Sequence, residues 1–246
     1  MAFVRHPAET HSESSDARPL AVLIPGLDGT GRFFEYQLEP LSRHYRTLPW
    51  TYPRRANFGF EELVRDLGEA TEREPAGSVT VVGESFGGTV ALQFALAYPT
   101  RVCRLGLING FCYYDRRMRI ALGCRLAALL RWRGMRGIKD FVCDRLLASE
   151  GIPAEGRRLY RDIVATVDPV AYRRRLQLVR EVDLRACLPK IDVPTIFLVS
   201  GRDKVVPSVS SAELMAMRIR GGRIFNFPNA GHALLLTPGF CLADYL

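Results

Sequence analysis

Residues 79–99 read VTVVGESFGGTVALQFALAYP and contain the turn that decides the fold. The apolar and β-branched residues 79–82 predict a short buried strand, and residues 89–98 predict a helix with an apolar face. Between them lies Gly-Glu-Ser-Phe-Gly-Gly, with small residues on both sides of a serine. An ordinary polar loop has no need of that arrangement, so this connection indicates a special turn.

The connection matches the pattern Gly-x-Ser-x-Gly, with Gly83 and Gly87 on either side of Ser85. In this pattern a strand turns sharply into a helix, and the serine hydroxyl projects above the sheet from a strained backbone. Glycines suit positions where the strand and the helix pass close together. The alternative is a glycine-rich turn with an inert serine. The strand predicted before the turn and the helix predicted after it favour a nucleophile.

A serine hydroxyl attacks a carbonyl only when a base takes its proton and an acid orients that base. Two of the four histidines, His6 and His11, lie in the polar N-terminal stretch, and His44 follows the first predicted helix among charged residues. His232 lies in PNAGHALLLTP, after the last predicted strand. The sequence therefore predicts His232 as the general base.

Asp203 is the predicted orienting acid, because FLVSGRDKVVP places it directly after a buried strand. The chain order Ser85, Asp203, His232 is the order that belongs to this nucleophile pattern. Each residue would follow the carboxyl end of a strand, where the sites of open parallel sheets lie. Asp115, after the segment RLGLINGF, is the alternative acid.

The oxyanion of an acyl-transfer reaction needs hydrogen-bond donors. The backbone N–H of Phe86, directly after the serine, is one candidate, and the N–H of Leu27, in PGLDGTG after the first strand, is the other. A phosphate-binding loop is the alternative interpretation of PGLDGTG. That loop matches neither G-x-x-x-x-G-K-[ST] nor G-x-G-x-x-G, so an oxyanion loop is the better prediction.

Strands alternate with helices over most of the chain, which predicts an α/β fold with a mostly parallel sheet flanked by helices. Residues 111–188 interrupt this alternation with helical patterns alone. We therefore expect a flexible N-terminal tail over 1–18, a core built from 19–110 and 189–246, and an inserted helical cap over 111–188.

Together these segments resemble the α/β-hydrolase-fold serine hydrolases. The resemblance rests on PGLDG, on the turn around Ser85, on SGRDKVVP around Asp203, and on NAGH ending at His232. It covers roughly residues 20–246, with 111–188 in the place of that family's variable cap. The segment PGLDGTGRFF is also similar to acyl-lipid-acting members such as the plastid phytyl-ester and diacylglycerol acyltransferase-like group.

Two features depart from that family's pattern. Most members carry His-Gly where this chain has Pro25-Gly26, so the usual outer polar contact to the oxyanion loop is absent. The stretch before the first predicted strand is also short, and we expect it to lack the family's first antiparallel strands.

Length and composition argue against a membrane-spanning protein, a secreted protein and a disulfide-rich protein. The chain has 246 residues, 48% of them hydrophobic, which is enough for one sizeable core. No apolar run reaches the roughly 18 residues of a membrane span, and the N-terminus has no apolar core of a secretory signal, so we expect a cytoplasmic protein. Six cysteines without C-x-x-C spacing predict reduced thiols rather than a disulfide framework or a zinc site.

The predicted cap is rich in arginine and contributes to a net charge of +8. Arg116 and Arg119 are its candidate substrate-binding residues, because a basic amphipathic helix can hold an anionic substrate group. The same face can instead contact an anionic membrane surface or simply face solvent. A nucleic-acid partner is disfavoured, because no basic stretch is interleaved with aromatic residues suited to stacking.

These residues predict a serine hydrolase that cleaves a carboxylic ester or thioester through an acyl-enzyme, with no cofactor and no metal. The expected partner is a small-molecule acyl substrate that is lipid-like or anionic. The same triad can also cleave amides or carbon–carbon bonds or pass the acyl group to an alcohol, since fold and triad do not set the substrate. A non-catalytic ligand-binding protein on this fold is the remaining alternative.

Overall fold

One parallel sheet forms the centre of the protein. The computed structural model describes residues 17–75, 77–115 and 151–246. The strands are β1 (Leu20–Ile24), β2 (Arg46–Pro49), β3 (Val79–Glu84), β4 (Val102–Ile108), β5 (Thr195–Ser200) and β6 (Arg223–Phe227), in the spatial order β2-β1-β3-β4-β5-β6. Every neighbouring pair is parallel. The predicted α/β class is therefore confirmed.

The register brings the carboxyl ends of the central strands to one edge of the sheet. Ile24 at the end of β1 pairs with Gly83 in β3, and Glu84 at the end of β3 pairs with Ile108 at the end of β4. Ile108 also pairs with Leu198 in β5. The loops that follow these strands lie side by side, which is where open parallel sheets carry their sites.

The helices are α1 (Glu35–Ser42), α2 (Phe60–Ala70), α3 (Phe86–Ala97), α4 (Ala154–Thr166), α5 (Pro169–Glu181) and α6 (Ser208–Ala216). Short 3₁₀ turns occupy Arg32–Phe34, Leu188–Lys190, Leu234–Leu236 and Leu242–Asp244. α2 buries one amphipathic stripe, whereas α3 is buried over most of its circumference. α5 begins at Pro169, and the Asp168 carboxylate caps it by accepting the N–H groups of Val170 and Ala171.

Side-chain alternation along β1 gives the protein two apolar layers. Leu20, Val22 and Ile24 pack into the cluster on one face of the sheet, and Ala21 and Leu23 pack into the cluster on the other face. A strand buried on both faces is apolar throughout, which explains the continuous segment LAVLI.

The turn around Ser85 is tighter than the sequence predicts. β3 continues through Glu84 and α3 begins at Phe86, so Ser85 alone separates strand from helix. The predicted helix start at residue 89 was late, because glycine's low helix propensity suggested a loop. Here the glycines serve close packing within the first helical turn.

Several predicted features fall outside the described residues. These are most of the tail 1–18 and the segment 116–150 of the predicted cap, which includes Cys124 and Cys143. In the remaining part of the predicted cap, α4 packs through Tyr160 onto Phe33, with ring centroids 5.6 Å apart. Within the three described ranges, no helix is both long and apolar enough to cross a bilayer.

Candidate active site

The backbone of Ser85 has an unusual conformation, with φ 52° and ψ −116°. Such a conformation costs a non-glycine residue on the order of 1–3 kcal/mol and persists only where the surroundings enforce it. The Ser85 N–H donates to the Ile108 carbonyl at 2.8 Å, and the Ser85 carbonyl accepts the Gly88 N–H at 3.0 Å. The end of β4 and the first turn of α3 therefore hold the serine in place.

The glycines of the turn lie where no side chain fits. A Cβ on Gly83 would lie 2.3 Å from the Gly87 carbonyl oxygen, and a Cβ on Gly87 would lie 2.3 Å from the Ile24 carbonyl oxygen. Both contacts are to backbone atoms, which cannot move aside as a flexible side chain can. These glycines thus allow α3 to pass directly over the ends of β1 and β3.

Three side chains from separate loops meet in a continuous chain of polar contacts. The Ser85 Oγ lies 3.1 Å from His232 Nε2, and His232 Nδ1 lies 2.7 Å from Asp203 Oδ2. Ser85 follows β3, Asp203 follows β5 and His232 follows β6. Ser85 and His232 are both buried. The structure thus brings together the three predicted residues, whereas the alternative acid, Asp115, is exposed beyond β4.

Asp203 is held by its own loop in addition to His232. Its Oδ1 accepts the N–H groups of Val205 and Val206 at 2.8 and 3.0 Å, and its Oδ2 accepts the Ser208 hydroxyl. Burial raises the pKa of Asp203, but the His232 charge and these hydrogen bonds outweigh it, so the pKa lies below its ordinary value. The carboxylate therefore stays ionised.

Burial and the neighbouring carboxylates shift the pKa of His232 in opposite directions. Burial lowers the pKa of His232, but the charge of Asp203 and its hydrogen bond raise it, with a further contribution from Glu84. The net result is a pKa above the ordinary value of histidine. An imidazolium formed during a reaction would be stabilised where it arises.

Asn109 connects the histidine loop to the sheet, and sequence reasoning missed it. Its Nδ2 donates to the His232 carbonyl at 2.9 Å and to Ser200 Oγ at 3.0 Å, and its Oδ1 accepts the Ser200 N–H at 2.9 Å. Its φ is 48°, a left-handed conformation that asparagine tolerates better than most residues. The signal available in the sequence was an asparagine directly after a buried strand.

Glu84 is a second missed residue. Its carboxylate is buried, accepts a backbone hydrogen bond from Gly26, and places Oε1 3.6 Å from His232 Nε2. Burial raises the pKa of Glu84 to about 8, although the charge of His232 acts against burial. The sequence signal for it was a carboxylate directly before Ser85, in a turn whose other residues are small or aromatic.

The loop after β1 lies beside Ser85. A Cβ on Gly26 would lie 3.4 Å from Ser85 Cβ, and the Gly29 N–H closes a turn by donating to the Gly26 carbonyl at 3.2 Å. Leu27, a predicted oxyanion donor, lies within this turn. Phe86, the other, is the first residue of α3. Arg116 and Arg119 lie outside the described residues.

This arrangement of a parallel sheet, a strained serine turn and a neighbouring histidine defines a class of protein. The family model described as "Alpha/beta hydrolase family" matches residues 21–243. The chain belongs to the α/β hydrolase family and is an α/β-hydrolase enzyme, as the resemblance in the sequence predicted.

The chain is also similar to particular hydrolases. The chain is 26% identical to the putative carbamate hydrolase RutD of Yersinia enterocolitica over 246 residues, covering 93% of this chain and 86% of that protein. It is 29% identical to the pimeloyl-[acyl-carrier protein] methyl ester esterase of Neisseria meningitidis over 164 residues, covering 64% of this chain and 52% of that protein.

A solved structure supports the same fold. An esterase from Exiguobacterium antarcticum superposes with a TM-score of 0.77 at 22% identity, covering 89% of this chain and 86% of that one.

Proposed function

We propose that the protein is a serine hydrolase that cleaves a carboxylic ester or thioester through an acyl-enzyme intermediate. The observation that carries this proposal is the unbroken series of contacts from Ser85 Oγ to His232 Nε2 at 3.1 Å and from His232 Nδ1 to Asp203 Oδ2 at 2.7 Å. In this series the serine is the nucleophile, the histidine is the base and the aspartate is the orienting acid.

Acylation begins when His232 Nε2 accepts the proton of the Ser85 hydroxyl and Oγ attacks the substrate carbonyl carbon. The resulting oxyanion accepts hydrogen bonds from the backbone N–H groups of Phe86 and Leu27. Collapse of this intermediate breaks the bond to the leaving alcohol or thiol, which takes the proton from His232. Asp203 accepts the Nδ1–H hydrogen bond throughout and stabilises the imidazolium.

Deacylation repeats the same chemistry with water. His232 removes a proton from the water, its oxygen attacks the acyl carbon, and Ser85 leaves with the proton that the histidine returns. The products are a carboxylic acid and a regenerated serine. An alcohol in place of water would give acyl transfer on the same residues, and a carbon leaving group would give carbon–carbon bond hydrolysis.

The names of the relatives indicate a small-molecule substrate. A carbamate and a methyl ester share a carbonyl flanked by a heteroatom leaving group, which is the group that an activated serine attacks. Carbamate hydrolysis is therefore the second candidate, favoured by the similarity to a putative carbamate hydrolase over 93% of the chain.

Covalent labelling with a fluorophosphonate, read out by intact mass, tests the proposed nucleophile. We expect stoichiometric single labelling of the wild type and of Ser210→Ala, which removes an exposed hydroxyl at the start of α6. Ser85→Ala should remain folded, show no adduct and lose several orders of magnitude in turnover. A folded wild type that is not labelled, or a Ser85→Ala variant that is labelled equally, would contradict the proposal.

A substrate series then separates the two candidates. We would measure kcat/KM of the wild-type enzyme for three groups of substrates. These are p-nitrophenyl esters of graded chain length, acyl thioesters and matching aryl carbamates. Higher kcat/KM for esters or thioesters supports the first candidate. A preference for carbamates of equal leaving group would replace it with the second.

A further inference from the structure

Arg175, in the second turn of α5, is a buried cation beside the predicted oxyanion loop. The residue is only 2% exposed, and burial lowers the pKa of its guanidinium. Nε donates to the Leu27 carbonyl at 2.9 Å, and one terminal nitrogen donates to the Asp28 carbonyl at 3.3 Å. Among the described residues, no carboxylate forms an ion pair with it. Burying a charge in this way is costly, so its position calls for a function.

The carbonyls of this loop are held one after another. The Tyr52 hydroxyl donates to the Pro25 carbonyl at 2.8 Å, and the Gly29 N–H donates to the Gly26 carbonyl at 3.2 Å. Arg175 holds the next two carbonyls. Four consecutive carbonyls, from residue 25 to residue 28, are therefore hydrogen-bonded.

Holding the carbonyls also orients the N–H groups. A trans peptide unit is planar, and its C=O and N–H point in opposite directions. The Gly26 carbonyl and the Leu27 N–H belong to one peptide unit, so the turn hydrogen bond sets the direction of that N–H. Arg175 fixes the two peptide units that follow, and without it the turn could rotate about Leu27 and Asp28.

Gly29 and Tyr52 both lie against the Arg175 guanidinium. A Cβ on Gly29, whose φ is +76°, would lie 2.9 Å from the Arg175 guanidinium carbon, so only glycine lets the planar group approach the turn. The guanidinium carbon also lies 5.6 Å from the centroid of the Tyr52 ring, within cation–π distance. Arg175 and Tyr52 thus supply polar contacts to the carbonyls of the loop 25–29.

We propose that Arg175 is a positioning residue, which holds the loop 25–29 so that the Leu27 N–H faces the oxyanion formed on the Ser85 adduct. This inference rests on the proposed function. It makes α5, a helix within the predicted cap 111–188, part of the support for the predicted oxyanion loop. The guanidinium acts through the loop and does not contact the reacting atoms.

The experiment compares Arg175→Met with Arg174→Met. Arg174 is the matched control, because its Nε also donates to a backbone carbonyl, that of Phe58 at 2.6 Å, yet it does not contact the loop 25–29. The readouts are kcat, KM and the affinity for a trifluoromethyl ketone, which forms a tetrahedral oxyanion adduct with the serine.

For Arg175→Met we expect kcat to fall about tenfold to a hundredfold, because a misplaced oxyanion donor loses transition-state stabilisation. KM should change little, and affinity for the ketone should fall by the same factor as kcat/KM. Arg175→Lys should lose less, since an ammonium can reach one of the two carbonyls. Arg174→Met should match the wild type in all three measurements.

Two results would overturn the proposal. Arg175→Met could melt at a lower temperature yet keep wild-type kcat and ketone affinity, which would make the arginine merely structural. It could instead raise KM for anionic substrates alone with kcat unchanged, which would make it a contact to substrate. If Arg175→Met does not fold, wild-type kcat and ketone affinity in a folded Arg175→Ala variant, which can donate to neither carbonyl, would equally overturn the proposal.

Fluorophosphonate labelling of the wild type keeps this test separate from that of the proposed function. An unlabelled wild type removes the serine-hydrolase proposal itself. A labelled and active wild type beside an unaffected Arg175→Met removes only the role of Arg175.

Discussion

The serine turn and the loop after β1 lie side by side but are stabilised in different ways. The turn around Ser85 is enforced by backbone contacts of adjacent elements, including the Gly88 N–H three residues along the chain. The loop 25–29 depends on side chains from far away, Tyr52 at a separation of 27 residues and Arg175 at 148. The serine turn is thus held by backbone atoms of the strands and helix that meet there, whereas the loop 25–29 is also held by side chains from other elements.

Glu84 joins the two regions. It ends β3 directly before the serine, its carboxylate accepts a hydrogen bond from the Gly26 backbone, and its Oε1 lies 3.6 Å from His232 Nε2. A substitution of Glu84 should therefore affect both regions. A substitution of Gly87 should affect mainly the serine turn, and a substitution of Tyr52 mainly the loop 25–29.

The largest loss of stability is expected for Gly87→Ala, which tests the packing of the turn around Ser85. The added Cβ would lie 2.3 Å from the Ile24 carbonyl oxygen and 2.6 Å from that of Pro25, so α3 must move away from β1. We expect a loss of about 3 kcal/mol or more in the free energy of unfolding, measured by urea denaturation. Gly59→Ala is the control, because a Cβ there meets no atom within 4 Å. Equal stability of the two variants would show that the close approach of α3 to β1 does not constrain the turn.

The second prediction concerns Glu84, whose titration should make the free energy of unfolding depend on pH. Its pKa is about 8 in the folded protein, against an ordinary value of 4.5. Between these pH values the folded protein binds one more proton than the unfolded chain, so its stability falls as pH rises through this window. Above about pH 8 the loss is complete. We expect Glu84→Gln to remove this loss and to be more stable than the wild type at about pH 9 by several kcal/mol, since each unit of pKa difference corresponds to about 1.4 kcal/mol.

Urea unfolding at a series of pH values from about 5 to about 9 measures the difference. Glu72→Gln, at an exposed glutamate, is the matched control and should follow the wild type. Wild type and Glu84→Gln should converge towards the acid end of the series, where Glu84 is protonated in more of the unfolded chains. A constant difference across the series would mean that Glu84 does not titrate within it.

The smallest effect is expected for Tyr52→Phe, which tests the loop. The variant keeps the ring beneath Arg175 but removes the hydroxyl that donates to the Pro25 carbonyl at 2.8 Å. We expect a loss of about 1 kcal/mol in the free energy of unfolding and a severalfold fall in kcat at unchanged KM. Tyr36→Phe, at a half-exposed tyrosine of α1, should change neither quantity. Unchanged kcat in Tyr52→Phe would show that the Tyr52 hydroxyl is not needed to orient this loop for catalysis.

The strands and most of the described helices were predictable because each carries its own periodic pattern. β1 is a continuous apolar run, and α2 has a single apolar stripe. The start of α3 was predicted three residues late, since glycine usually marks a loop and here allows a close crossing. Ser85, Asp203 and His232 were predicted from chain order, and the structure places them in contact.

The supporting residues could not be found in the same way. Nothing near Asn109 in the chain indicates that its amide binds the His232 carbonyl, 123 residues away. Arg175 is one of three consecutive arginines, and the sequence does not indicate which of them is buried. Burial and partner are properties of the packed molecule, because they depend on which elements lie against each other.

By itself the sequence determined the α/β class, the serine turn and the order of the three residues that meet there. Short-range sterics and strand periodicity are enough for that, since both act within a few residues. Only the tertiary structure decided how the loop 25–29 is held, how His232 is tied to the sheet, and that Glu84 is buried beside both. These depend on contacts between distant segments, and burial is also what raises the pKa of Glu84 to about 8.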